Sequence, residues 1–158
     1  MNGDKELLGA LGNVLSAQLS LLHQTFVHQR MLSNWGYPSL SAQKLELVLC
    51  QTHHVDQLVA RVLFLEGLPP KQPGVSIEYA SGPALVPGLD LQLLQTTHHR
   101  LGVGVRTASL RSDNASRALL EELLIEDESH IKELESQCFL ISSLGKDTYL
   151  AEHIAKSP

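Results

Sequence analysis

Four long segments of this chain repeat apolar residues every three or four positions, and this spacing constrains its fold more than any other feature. Such spacing covers one face of an α-helix with apolar side chains. We predict long helices over about 5–34, 40–66, 84–111 and 115–143, and a short fifth helix over about 146–155. Four helices of this length can bury their apolar faces against one another. The sequence therefore predicts one all-α domain over residues 1–158, built as a four-helix bundle.

The connections between the predicted helices differ in length. Asn34 to Pro38 form a short break, after which Ser39 or Ser41 could cap the second helix. Residues 67 to about 83 hold several Pro and Gly and only short apolar runs. A connection this long can cross the whole bundle, so the third helix can run parallel to the second. We therefore expect a four-helix bundle with one long crossover connection and a short C-terminal helix.

Composition excludes several classes of partner. Hydrophobic residues make up 43% of the chain, which is enough for a core, and the formal net charge is −5, which argues against general nucleic-acid binding. No stretch reaches the roughly 18 apolar residues that span a bilayer. The first six residues do not read as a secretory signal. We expect a cytoplasmic protein with no membrane or nucleic-acid partner, in which Cys50 and Cys138 are reduced, small hydrophobic residues.

Polar residues interrupt the apolar faces at matched heights. Gln51 and His54 lie mid-way along the second helix, and Asp127 and His130 lie mid-way along the fourth. Each pair is spaced i, i+3 and so shares one helix face. Gln18 lies at the same level of the first helix. Buried polar groups are costly without partners, so these residues form either a hydrogen-bonded layer or a metal site.

The chain resembles bacterioferritin over essentially its whole length. The phrases that carry this resemblance are Met1–Asp4, His28–Met31, Asn34–Gly36, His54–Asp56, Arg61–Pro69, Glu128–Ile131 and Tyr149–Leu150, of which Arg61–Pro69 is the most specific. The resemblance implies a ferritin-like bundle that assembles into a 24-subunit cage and stores iron as a mineral. It also places Arg30, Asp56 and Arg61 near a two-fold contact between subunits.

The resemblance further implies where the family's di-iron ligands fall. The four family carboxylates correspond to Gln18, Gln51, Leu94 and Asp127 in this sequence, and the two histidine ligands correspond to His54 and His130. Only His54, Asp127 and His130 keep a competent donor, so one carboxylate would face the four charges of two ferrous ions. Glu126 and Glu128 flank Asp127 but point about 100° away along the helix, so we expect them to be poor substitutes.

We therefore expect no di-iron centre, and at most one divalent ion bound by His54, Asp127 and His130. The methionine that binds haem in the family corresponds to Thr52, so we expect no haem either.

Three hypotheses about function follow from these losses. In the first, the subunit lacks its own ferroxidase centre and shares a mixed cage with an intact-site subunit. In the alternative, a homo-oligomer oxidises iron slowly at the residual site. The third is a helical scaffold that stores no iron.

Overall fold

The computed structural model describes residues 1–72 and 74–154 of the chain. Within these residues the helices are α1 (Lys5–Asn34), α2 (Pro38–Phe64), α3 (Val86–Leu110), α4 (Asn114–Leu144) and α5 (Lys146–Ala151), with a 3-10 turn over Pro83–Leu85 before α3. This confirms the predicted four-helix bundle with a short C-terminal helix. The fifth helix ends at Ala151, earlier than the predicted end near residue 155, which itself lies outside the described residues.

The ends of α2 differ from the prediction. Neither Ser39 nor Ser41 caps this helix, because α2 begins at Pro38 and its N-cap residue, Tyr37, makes no side-chain capping bond. Proline suits the first helical position, where its fixed φ is already helical and its missing N–H would have had no partner. The helix also ends earlier than predicted, at Phe64, because Glu66 adopts a left-handed backbone with φ of 61°.

Side chains cap the starts of α1 and α4, whereas the N-cap residues of α3 and α5 make no side-chain capping bond. The Asp4 carboxylate accepts from the Glu6 and Leu7 N–H groups at the start of α1. Asp113 accepts from the Ser116 N–H at the start of α4, and the Arg61 guanidinium donates to the same carboxylate at 2.9 Å. These contacts satisfy N–H groups that a helix cannot satisfy internally.

The bundle is built from two antiparallel helix pairs. The short breaks pair α1 with α2 and α3 with α4, and α1 also packs along α3. Gly104 lets α3 and α4 approach closely, since an added Cβ there would lie 3.0 Å from Leu120 Cδ1. In contrast, α2 and α4 approach each other closely at few points, so side chains fill the seam between them.

The apolar core is divided along the bundle axis. One cluster includes Leu11, Leu15, Leu58 and Leu123, and a second contains Leu21, Leu47, Leu93, Leu94 and Leu134. Gln18, Gln51 and Asp127 fall between these clusters in their respective helices. None of the described helices combines the length and the apolar character needed to cross a membrane.

Candidate metal centre

The level between the two apolar clusters holds the polar residues that the sequence singled out. Gln18 from α1, Gln51 and His54 from α2, and Asp127 from α4 each have 0% of their surface exposed. We call these four residues the central polar layer. Their burial is dictated by their place on the apolar face of each helix, so the bundle brings them together without any contribution from loops.

The hydrogen bonds within the central polar layer are incomplete. The Gln51 amide donates to Asp127 Oδ1 at 3.3 Å, and His54 Nδ1 lies 3.6 Å from the same oxygen. Among the described residues, hydrogen-bond partners are missing for Gln18 Nε2 and Oε1, Gln51 Oε1, His54 Nδ1 and Asp127 Oδ2. The side chains of the described residues therefore do not complete a hydrogen-bonded layer by themselves, although buried polar groups are normally paired.

Burial also reduces the charge that this layer carries. It raises the pKa of Asp127 to about 7, and the neighbouring Glu126 charge adds to the rise although the Gln51 hydrogen bond opposes it. Burial lowers the pKa of His54, against the opposing influence of Glu126. Near neutral pH the layer thus holds an only partly ionised carboxylate and a neutral imidazole.

The two other positions that correspond to family ligands, His130 and Leu94, lie outside the central polar layer. His130 is half-buried, and it lines a pocket with Lys44, Glu133 and Tyr149. Burial lowers the pKa of His130 too. Leu94 is fully buried within the second apolar cluster and offers no donor atom. The structure therefore places His54 beside Asp127, while His130 faces this adjoining pocket.

Thr52, at the family's haem position, lies on the exposed side of α2. Its hydroxyl donates to the Val48 carbonyl at 2.8 Å. A hydroxyl engaged with its own helix, on a residue without sulfur, does not resemble the thioether that the position holds in the family.

Two side chains at the α2–α4 seam were not predicted as part of a site. Glu126 Oε2 accepts from His54 Nε2–H at 2.6 Å and from the Cys50 thiol at 3.6 Å. The Glu126 carboxylate therefore reaches His54, although its position on the helix points away from that level, and its value as a substitute ligand stays a prediction. Glu126 precedes His130 by one helical turn, on the same face, and its long side chain reaches across the open seam. The sequence did contain a signal, because Cys50 and His54 are spaced i, i+4 on one face of α2.

The surroundings of Cys50 favour its neutral form. Burial and the Glu126 charge raise the pKa of the Cys50 thiol to about 12. The hydrogen bond from His54 holds the pKa of Glu126 below its usual value, so this carboxylate is ionised and accepts from both neighbours. Cys50 is thus more than a small hydrophobic residue.

A second group of buried polar residues lies nearer the crossover connection. Asp90 accepts from Gln24 Nε2 at 2.9 Å and from His28 Nδ1 at 2.8 Å, and it pairs with Lys44 Nζ at 2.5 Å. His28 Nε2 accepts from the Ala80 N–H, which fixes the proton on Nδ1. We call Gln24, His28, Lys44 and Asp90 the paired network. His28 holds the crossover connection to α1 and α3 through these two bonds.

Comparison with known proteins agrees with this architecture. Residues 8–143 match the ferritin-like domain family, so the bundle and its polar layer define a ferritin-like protein. Bacterioferritin BfrA of Mycobacterium tuberculosis is 30% identical over 158 residues, covering 100% of this chain and 99% of that protein. The chain belongs to the bacterioferritin family.

Solved structures support the same assignment. The structure of Mycobacterium tuberculosis bacterioferritin, BfrA, matches with a TM-score of 0.92 and 30% identity, covering 98% of each chain. That of Rhodobacter capsulatus bacterioferritin matches with a TM-score of 0.94 and 26% identity, covering 99% of this chain and 98% of that one. The Rhodobacter structure is described as having a metal-free dinuclear site and a haem iron in a crystallographic special position.

Proposed function

We propose that this chain is a subunit of a bacterioferritin-type iron-storage cage that lacks its own working ferroxidase centre and haem ligand. In this proposal it assembles in the cytoplasm, in a 24-subunit mixed cage with an intact-site subunit that oxidises the iron. Membership of the bacterioferritin family supports the storage role. The loss of the oxidation site rests on the donor atoms of the central polar layer.

The single observation that carries the proposal is the shortage of carboxylate oxygens in the central polar layer. Asp127 is the one buried carboxylate there among the described residues, and burial raises its pKa to about 7. The ionised Glu126 approaches this level only from the exposed side, through His54. Gln18 and Gln51 offer uncharged amides, and Leu94 packs in the apolar core. Two ferrous ions would bring four positive charges to this level. Charges in a buried site are expensive without opposite charges beside them, so the layer does not fit a di-iron centre.

The outer surface supports assembly with other subunits. Several large apolar side chains are more than half exposed in the single chain, including Phe26, Leu49, Leu63, Phe64, Leu68, Leu110 and Phe139. Subunit contacts would bury such residues. A subunit selected for assembly would keep these residues and its apolar core even where its ligand residues have changed.

The oxidation half of the proposal is tested with the purified chain alone. We expect ferrous iron in air to form ferric species at the rate of a protein-free control. The matched variant carries Gln18→Glu, Gln51→Glu, Leu94→Glu and Asp127→Glu, which restore the family's four carboxylates. We expect this variant to oxidise iron faster than the wild-type chain. Rapid, saturable oxidation by the wild-type chain would contradict the loss of the centre.

The assembly half is tested by co-expression with an intact-site bacterioferritin. Native mass measurement of the purified cages should show both subunit masses in one particle. If no mineral forms even in such mixed cages, a scaffold that stores no iron would be favoured. Recovery of two separate populations of pure cages would argue against the mixed cage.

The homo-oligomeric alternative depends on one ion bound by His54, Asp127 and His130. The unpartnered His54 Nδ1, 3.6 Å from Asp127 Oδ1, supports this residual site. Crystals soaked in ferrous iron without oxygen would test it by anomalous scattering at the iron edge. An iron peak between these residues, together with slow oxidation that Asp127→Asn abolishes, would favour the alternative.

A further inference from the structure

The α2–α4 seam holds three side chains of metal-ligand type that face one another. Cys50, His54 and Glu126 each offer one ligand atom, and these atoms lie within 4.8 Å of one another. Cys50 and His54 come from successive turns of α2, while Glu126 comes from α4. The Glu126 side chain is 40% exposed, so the group opens to solvent on one side and contacts the buried layer on the other.

The distances suit a small tetrahedral cation. Typical zinc bonds of about 2.3 Å to sulfur and about 2.0–2.1 Å to nitrogen and oxygen imply ligand separations of about 3.5 Å from sulfur and about 3.3 Å between nitrogen and oxygen. Cys50 Sγ lies 3.4 Å from His54 Nε2 and 3.6 Å from Glu126 Oε2. His54 Nε2 and Glu126 Oε2 are 2.6 Å apart because a proton joins them. Only this third separation must widen when a cation replaces the proton.

The geometry points to a mononuclear site in which Cys50 Sγ, His54 Nε2 and Glu126 bind one divalent cation of the zinc class, with a fourth position open to solvent. This ligand set differs from the residual set of His54, Asp127 and His130, because it uses the opposite ring nitrogen of His54. It also goes beyond the proposed storage role and does not depend on it.

Asp127 of the central polar layer lies beside the ring nitrogen of His54 that does not bind the cation. Once Nε2 binds the cation, the remaining proton of the neutral His54 ring must sit on Nδ1. That nitrogen lacks a hydrogen-bond partner among the described residues and lies 3.6 Å from Asp127 Oδ1. A carboxylate that accepts from the second nitrogen of a ligating histidine fixes the ring and strengthens the ligand. Asp127 is therefore a positioning residue, held in turn by the Gln51 amide.

The proton balance of binding is simple. The Cys50 thiol loses one proton to solvent as its sulfur binds the cation. The His54 proton moves from Nε2 to Nδ1, so the ring stays neutral. The thiolate and the Glu126 carboxylate then match the two charges of the cation. No oxidant or reductant is required.

The donor set also defines which cations are preferred. Thiolate and imidazole suit zinc and cobalt better than magnesium or calcium, which prefer carboxylate, carbonyl and water. For similar ligands, affinity rises from ferrous iron through cobalt towards copper, and zinc binds less tightly than copper. The site would thus favour zinc over the ferrous iron that a storage cage receives.

Cobalt is the appropriate probe because a cobalt–thiolate bond absorbs light in the near ultraviolet. We would titrate the assembled, chelator-treated and reduced protein with Co²⁺ without oxygen. We expect a thiolate-to-cobalt absorption band that saturates at one Co²⁺ per subunit, together with the strong visible bands of tetrahedral Co²⁺. One equivalent of Zn²⁺ should displace the Co²⁺ and remove these bands. Binding to exposed histidines alone would give no thiolate band.

The matched variants use the two free cysteines of the chain. Cys50→Ser should abolish the thiolate band, whereas Cys138→Ser, on α4, should leave it unchanged. Glu126→Gln should lower the affinity by at least tenfold, and Asp127→Asn should weaken it by about 10–100-fold while keeping the band. Circular dichroism and native mass of each metal-free variant would verify folding and assembly.

Several results would overturn the site. The thiolate-to-cobalt band could survive Cys50→Ser, it could be lost with Cys138→Ser, or the folded wild-type protein could give no such band. A Cys50→Ala variant repeats the first comparison if the serine variant does not assemble. None of these outcomes depends on iron oxidation, so the storage proposal and this site can fail separately.

Discussion

Two buried groups of polar residues in the same bundle contain similar residue types but differ in how many of their polar atoms have partners. The paired network contains Gln24, His28, Lys44 and Asp90, and the central polar layer contains Gln18, Gln51, His54 and Asp127. Lys44 and Gln51 are seven residues apart on α2, which is about two helical turns. Asp90 in the network has three side-chain partners, whereas both amide atoms of Gln18 in the layer have none among the described residues.

The difference separates structural polar residues from ligand-type ones. A buried charge is tolerated when an opposite charge and hydrogen bonds surround it. In the paired network, Gln24 also accepts from the Glu78 N–H, so the same residues fasten the crossover connection. The unpartnered atoms of the central polar layer make no such fastening contact among the described residues. Under the proposal made above, these residues are the inherited frame of a ligand site.

The largest effect should follow from breaking the paired network. Asp90→Ala leaves Lys44 buried without its carboxylate and removes a partner from both His28 and Gln24. Removing one member of a buried ion pair costs about 3–5 kcal/mol. For a chain of this size, the midpoint of thermal unfolding should fall by roughly 10 °C.

The control for this variant is Glu121→Ala, which breaks the exposed Arg117–Glu121 pair. It should cost less than about 1 kcal/mol. Both variants are compared at one protein concentration, because assembly contributes to apparent stability. Equal effects of the two substitutions would mean that the network is not structural.

The buried carboxylates of the two groups, Asp127 and Asp90, should change stability with pH in opposite directions. The pKa of Asp127 is raised from 3.8 to about 7, so the folded state holds this proton where the unfolded state has lost it. Stability from this group is therefore full below pH 3.8 and is lost as the pH rises through 7. Asp127→Asn removes that loss, which is at most about 4 kcal/mol. After treatment with a chelator, we expect the Asp127→Asn variant to be more stable than the wild type at pH 8. At pH 4 the two should differ little.

Asp90→Asn serves as the counterpart in the same titration. Burial alone would raise the Asp90 pKa, but Lys44 and His28 outweigh it and lower the pKa below 3.8. Asp90 therefore stabilises the fold above pH 3.8, and this contribution disappears on acidification below that value. The asparagine variant should be less stable than the wild type at pH 8. Urea unfolding at both pH values would refute the contrast if the two variants shifted in the same direction.

The sequence predicted the bundle well because its information is periodic. The 3–4 spacing of leucine placed Gln18, Gln51, His54 and Asp127 inside, and the structure confirms their burial. It could not predict which atoms would lack partners, because that depends on side-chain rotamers and on the distance between α2 and α4. The contact between Glu126 and His54 was missed for this reason, since rotation about the helix axis alone ignores the reach of a glutamate across an open seam.

The same Gln→Met substitution can be made on α1 in each of the two buried groups, at Gln24 and at Gln18. Gln24→Met keeps the length of the side chain but removes its amide, which joins Asp90 Oδ1 to the Glu78 N–H. A buried group left unsatisfied costs about 1–3 kcal/mol. We expect this variant to be destabilised, and hydrogen exchange should show faster exchange in the crossover connection near residue 78. Unchanged exchange there would mean that the network does not fasten the connection.

The same substitution at Gln18 should have the smallest effect and the opposite sign. Gln18 is 0% exposed, and neither of its amide atoms has a partner among the described residues. Methionine has a similar shape and no amide to desolvate, so Gln18→Met should stabilise the fold by about 1 kcal/mol. Urea unfolding measures both variants under identical conditions. A loss of stability with Gln18→Met, comparable to that with Gln24→Met, would mean that Gln18 is satisfied by ordered water. Water would then complete the hydrogen bonds of the central polar layer, with no need for a bound ligand.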